Sequence, residues 1–285
     1  MTAASPPVHV HGPRARFGPA DIRELWEYRD LFTALVGREL RVRYRQVLIG
    51  AAWAVVQPIA KLAIFALLIV RGLGAEPPVV SGVPYLVTAY VGLICWQLLS
   101  TSLRDATHVL IVNREMITKV YFPRLLLPAV PVAVAAVDFA VSLIMLVPLM
   151  LWGGVGLSWT VVFAPLVLAG LLLVALAGAV WLSGANALYR DIGYTVPLML
   201  DVGIFATPVF YETAAVITNS APAWVLPVYS LNPAAGLIEL FRWSLWGSTA
   251  LPTWSVALSL FTAAGVLAGG VVWFHRVENE LADRV

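Results

Sequence analysis

Apolar residues in this chain come in long runs separated by short polar gaps, and the run lengths predict its elements. A bilayer-crossing helix needs roughly 20 predominantly apolar residues. Six stretches meet that requirement, at about 47–70, 84–103, 123–151, 161–187, 193–211 and 252–274. The first holds Pro58 and Lys61; the third carries Pro128, Pro131 and Pro148, which predict interruptions. Ahead of them, residues 21–46 place Leu25, Tyr28, Phe32, Leu35, Val36 and Leu40 near helical spacing. Asp21, Glu24, Glu27 and Asp30 crowd the start of this segment, and Arg38, Arg41, Arg43 and Arg45 its end, which complements a helix dipole. It is too charged to span and predicts an amphipathic helix along the inner membrane surface. Residues 212–251 break the pattern with Pro222, Pro227, Pro233, Trp224, Trp243 and Trp246. Backbone groups cannot stay unpaired in lipid, so short interfacial or re-entrant helices on the outer side are predicted there. Residues 1–20 are rich in Pro and Gly and predict a disordered cytoplasmic tail. The expected fold is all-α and integral to the membrane. It has six transmembrane helices, an N-terminal interface helix (21–46) and short outer helices between spans five and six, with the transmembrane domain covering 47–285.

Composition agrees and charge adds orientation. Of the 285 residues, 60% are hydrophobic and 12% charged, and the mean hydropathy is +0.86; a soluble domain carries about 25% charged residues. Fifteen of the 18 Lys and Arg residues fall in alternate gaps: eight before the first stretch, four within 104–124, then Arg190, then two in the tail. The other gaps hold only Arg71 and Arg242, and Lys61 lies inside a stretch. The positive-inside rule then puts both termini in the cytoplasm. The N-terminus lacks the apolar core of a secretory signal. The single Cys95 excludes an intramolecular disulfide and a cysteine metal cluster.

Catalytic signatures are missing. No G-x-x-x-x-G-K-[ST], H-E-x-x-H or G-x-S-x-G occurs, and the four His residues are scattered at 9, 11, 108 and 275. No cofactor or metal is therefore expected in this chain, and any uphill transport must draw its energy from another one. Lys61, Asp138 and Asp201 are ionisable residues inside predicted spans. They fit a translocation or proton path, or, more simply, a snorkelling lysine and aspartates that cap or pair helices. The loop 104–122, with Arg104, Asp105, Arg114, Glu115 and Lys119, fits either a short amphipathic helix docking into a partner's groove or an ordinary connector. The eleven Trp residues suit interfacial belts or the lining of a passage.

Several runs together resemble ABC-2 type permeases that export polysaccharides. They are Arg38 to Gln46 followed by Leu48 to Pro58, Ile117 to Arg124, Tyr189-Arg190-Asp191-Ile192, Leu231-Asn232-Pro233, and the closing Phe274 to Glu278. The resemblance covers about 22–285 and implies a bacterial inner-membrane subunit. Such a subunit pairs with a second copy of itself and binds two ATPase subunits that carry ATP and Mg2+. It implies a coupling helix near Thr107, Asn113, Arg114, Glu115 and Lys119, with a second ATPase contact at Tyr189, Arg190 and Asp191. The substrates implied are polymers on a lipid carrier, such as O-antigen, capsule, teichoic acid or galactan; nucleic acid is not among them. Arg38, Arg41, Arg43 and Arg45 become candidates for the carrier's pyrophosphate or for lipid headgroups, and Trp96, Phe205, Phe210 and Tyr211 for the channel lining. Other readings are an ABC-2 type drug or lipid exporter, a multispan enzyme of lipid-linked glycan synthesis, and a secondary transporter or channel. The enzyme would need clustered acidic residues in a loop, and the transporter internal repeats or an in-span acidic series; neither is present.

Overall fold

The computed structural model describes residues 19–45, 52–67, 79–80, 82–211, 225–247 and 253–284. The predicted disordered tail up to residue 18, the outer-loop charges Arg71 and Glu76, the motif residues 46–51 and the segments 212–224 and 248–252 lie outside the described residues.

Two helices open the chain, α1 (Pro19–Glu27) and α2 (Arg29–Arg45), where one amphipathic helix is predicted. Then follow α3 (Trp53–Leu67), a small antiparallel pair β1 (Val79–Val80) and β2 (Val83–Pro84), α4 (Tyr85–Val112) and α5 (Arg114–Lys119). The chain continues with α6 (Leu126–Trp152), a 3-10 turn at Trp159–Phe163, α7 (Ala164–Leu188) and α8 (Ile192–Gly203). It closes with α9 (Val225–Ser230), α10 (Pro233–Trp246) and α11 (Thr253–Arg284). The β pair, which the all-α reading does not include, turns at Gly82, whose φ of 80° suits glycine.

Among the described residues, four helices are long and apolar enough to cross a membrane: α4, α6, α7 with its leading 3-10 turn, and α11. The helices within the first and fifth predicted stretches, α3 and α8, are shorter, at 15 and 12 residues. The fifth stretch ends early because the backbone turns between residues 204 and 211. Helix α4 outruns its predicted span, so Arg104–Val112 is not a loop. No Gly or Pro interrupts the chain between residues 93 and 122. The hydroxyls of Ser102 and Thr107 satisfy the carbonyls of Leu98 and Leu103. Helix α6 likewise runs through its prolines. Pro128 sits in the first turn, where its missing N–H has no helical acceptor, and Pro131 and Pro148 cost one ladder bond each. Packed neighbours make such losses tolerable at membrane depth. Helix α11 likewise continues through the predicted charged tail to Arg284.

Helix α4 is the central post. Of its apolar window 78% is buried, against 17% for that of α11. Helices α3, α6, α7, α8 and α10 all pack on it. Helix α10 sits inside the bundle, against α4, α7 and α11, with residues Ala234 to Glu239 all buried. It starts well because Asn232 caps it, accepting from the Ala234 N–H at 3.0 Å, with Pro233 at the first helical position. It ends at Gly247, in the left-handed region at φ 71°.

Candidate functional site

The amphipathic pattern of α2 folds it against the ends of α4 and α6. Leu35 joins Phe122, Leu126, Leu127, Val130 and Phe274 in one apolar cluster. The opposite need, to place charge, is met by a shared polar knot. The Arg43 guanidinium reaches Asp138 of α6, Nη1 to Oδ2 at 2.6 Å, and also pairs with Asp105 of α4. The Tyr44 hydroxyl donates to the other oxygen of Asp138. Burial pulls the Arg43 guanidinium down, but Asp105 and Asp138 outweigh it and hold its pKa above the usual value. Burial first, then the bond to Asp138 and its charge, push the Tyr44 phenol up, so it remains a protonated donor at physiological pH. Arg38 adds a bond from Nη2 to Asn113 Oδ1 at 2.9 Å.

The three in-span charges separate. Asp138 is held by α2. Asp201 of α8 pairs with Arg104 of α4 at 2.9 Å across an exposed surface. Lys61 of α3 is exposed and makes no ion pair or hydrogen bond among the described residues. It lines a cavity of about 340 Å³ with Trp53 and Gln57 of α3, Gln97, Ser100 and Thr101 of α4, and the polar knot. A second cavity of about 270 Å³ lies between α2 and α4, beside Arg38, Glu39, His108 and Asn113.

The other expected residues fall in different places. Arg41 and Arg45 are exposed on α2. Thr107 is 1% exposed; its carbonyl accepts from the Asn186 amide of α7 at 2.8 Å, which ties α4 to α7. Asn113 sits between α4 and α5, its amide bonded to the Val109 carbonyl at 2.9 Å. Arg114, Glu115 and Lys119 are exposed on α5, and Lys119 pairs with Glu115 at 3.3 Å. Tyr189, Arg190 and Asp191 form an exposed turn between α7 and α8. Trp96 and Phe210 are buried, and Phe210 stacks on Phe65 with ring centroids 3.5 Å apart. Phe205 is exposed and Tyr211 half-buried, its hydroxyl donating to the Phe205 carbonyl at 3.1 Å.

Sequence reading missed Arg242. It is fully buried on α10, and its guanidinium donates to the carbonyls of Thr88 (3.1 Å), Tyr211 (3.1 Å) and Val209 (2.7 Å). It satisfies backbone acceptors of the irregular segment after α8, which has no helical ladder of its own. Gly92 permits the approach: a Cβ there would lie 2.3 Å from the Val209 carbonyl oxygen. The only hint in the sequence is that Arg242, with Glu239 three residues before it, is set in a mostly apolar stretch.

A bundle of apolar helices with a basic amphipathic helix packed on its end, an exposed charged helix after its central post and an open polar cavity suits a membrane transport subunit. The chain belongs to the ABC-2 type transporter family, whose model matches residues 30–246. It is 31% identical over 221 residues to the O-antigen export system permease protein RfbA of Myxococcus xanthus, covering 78% of this chain and 82% of that protein. Two O-antigen export system permease proteins RfbA of Klebsiella pneumoniae are 24% and 22% identical over 256 residues, each match covering 89% of this chain and 94% of the relative.

Proposed function

We propose that the chain is the membrane subunit of an ATP-driven exporter that moves a lipid-linked polysaccharide outward from the cytoplasmic side of the inner membrane. The observation that carries this reading is the similarity, along most of both chains, to permeases named for O-antigen export. In this reading α3 and α8, with their flanking residues, are the first and fifth of six spans. Both termini are cytoplasmic, as the distribution of Lys and Arg supports, and α9 and α10 belong to the outer end. Two copies pair around a channel. Two ATPase subunits, which bind ATP and Mg2+, dock on Asn113, Arg114, Glu115 and Lys119 and on the turn Tyr189, Arg190 and Asp191. Thr107 acts behind that surface, as a tie between α4 and α7.

The exposed Arg41 and Arg45 face headgroups or the carrier's pyrophosphate, since guanidinium matches phosphate geometry. Arg38 and Arg43 hold α2 to the bundle instead. Phe205 and Tyr211 line the channel, backed by Phe210 and Trp96. Their rings offer rigid apolar area to sugar faces without strong binding sites that would stall a moving chain.

Disrupting the gene in its host tests this. Surface polysaccharide is expected to disappear while lipid-linked polymer accumulates inside the cell, and plasmid-borne chain is expected to restore both. An unchanged surface polymer in the disrupted strain would overturn the reading.

A further inference from the structure

The cavity of about 340 Å³ has two facing polar walls. Trp53, Gln57 and Lys61 recur at every fourth position and so share one face of α3. Gln97, Ser100, Thr101 and Arg104 follow helical spacing on the facing side of α4. Polar stripes at bilayer depth are costly unless they line water or bind something. One group in this cavity is unengaged: Lys61 donates to nothing among the described residues. Gln97 is held in place, its amide N–H given to the Ala54 carbonyl at 3.2 Å and its Oε1 buried out of the cavity's reach. The lining thus presents an unused ammonium, the exposed amide of Gln57 and the hydroxyls of Ser100 and Thr101. Trp53 adds an indole that is 47% exposed.

Charge selects the ligand class. Asp105 and Asp138 also border the cavity, Arg43 is committed to them, and Arg104 is committed to Asp201. A phosphate group would meet two carboxylates and a single uncommitted ammonium. A neutral polyhydroxyl compound suits these walls better, because each hydroxyl both donates and accepts and one ring face can lie on an indole. We propose that this cavity is a glycan subsite, in which Trp53 supports a sugar ring while Gln57, Lys61, Ser100 and Thr101 bond its hydroxyls. It gives the polymer a first foothold on the cytoplasmic side before the aromatic channel. The proposal rests on the reading that the chain exports a polysaccharide.

Site-specific photocrosslinking in exporting host cells tests it. The photoreactive residue p-benzoylphenylalanine replaces Thr101 in the cavity, Phe205 in the channel, or Ile144, which is 71% exposed on α6. Irradiation is expected to give a high-mass ladder at Thr101 that mild periodate destroys, and none at Ile144. A Thr101 adduct only to periodate-resistant lipid overturns the subsite in favour of the carrier. A glycan ladder at Phe205 without one at Thr101 overturns the subsite and leaves the export reading standing. No glycan adduct at any position overturns both. In parallel, Gln57→Leu is expected to lower export about fivefold, the value of one hydrogen bond, at unchanged membrane level, because Gln57 makes no bond to the bundle among the described residues. Unchanged export by this variant counts against the subsite.

Discussion

Single residues carry the coupling between distant parts of this chain. Arg43 and Asp138 are 95 positions apart, and their pair ties α2 to α6. Asp138→Asn leaves Arg43 half-buried beside Asp105 alone. Because Arg43 and Asp105 retain partial solvent access, the expected cost is on the order of 1–3 kcal/mol, below that of a fully buried pair. Thermal unfolding of the detergent-purified protein checks this, and an unaltered midpoint would show that the knot contributes nothing to stability. Arg242→Met removes the donor from three backbone carbonyls at once. The Thr88 carbonyl keeps its ladder bond within α4, so two acceptors, those of Val209 and Tyr211, are orphaned, and at roughly 1 kcal/mol or more each the expected cost is about 2 kcal/mol or more. The readout is a lower midpoint and faster proteolysis between residues 204 and 211 in isolated membranes.

At the scale of elements, α5 stands out because none of its residues is buried, although it directly follows the most buried span. Met116 and Ile117 rest against the apolar cluster under α2, while the charged side of this six-residue helix, Arg114, Glu115 and Lys119, stays free to serve a partner. Charge reversal by Arg114→Glu with Lys119→Glu is expected to reduce co-purification of the partner ATPase about tenfold and to leave the unfolding midpoint within error. Equal loss of stability and of ATPase would mean instead that α5 props the bundle. Helix α10 behaves in the opposite way. The sequence predicts short interfacial or re-entrant helices here, and α10 packs against α4, α7 and α11 with most of its residues buried. The cap at Asn232 and the Arg242 contacts let a short helix sit inside a membrane bundle with its backbone satisfied.

The whole molecule exposes a broad apolar face on α3 and α8. Ile64 is 59% exposed, Leu198 66%, Met199 65% and Phe205 59%. The exposed pair Arg104–Asp201 lies beside it, and ionisable groups at membrane depth usually turn toward a protein or water and away from lipid. This face is therefore where the second copy is expected. In a Cys95→Ser background, Met199→Cys is expected to form a disulfide-linked dimer in oxidised membranes, whereas Ile144→Cys on α6 is not. Monomer at both positions would remove α8 from the interface.

Much of this architecture is legible in sequence because lipid imposes a one-dimensional rule: a spanning helix must be long, apolar and internally hydrogen-bonded. That rule marks α4, α6, α7 and α11, and the charge polarity of residues 21–46 marks α2. The same one-dimensional reading missed the length of α4, because polar residues on a helix end look like a loop until a partner element covers them. It also missed the polar knot, the clasp at Arg242 and the facing stripes of the cavity, since each joins residues from separate elements and nothing local to either residue names its partner. The sequence by itself determined the class of protein, the apolar runs and the bias of positive charge, which follow from transfer of single segments between water and lipid. Only the tertiary structure decided which charges are spent on holding helices together and which, like Lys61, are left facing a cavity, because that depends on the distances between packed helices.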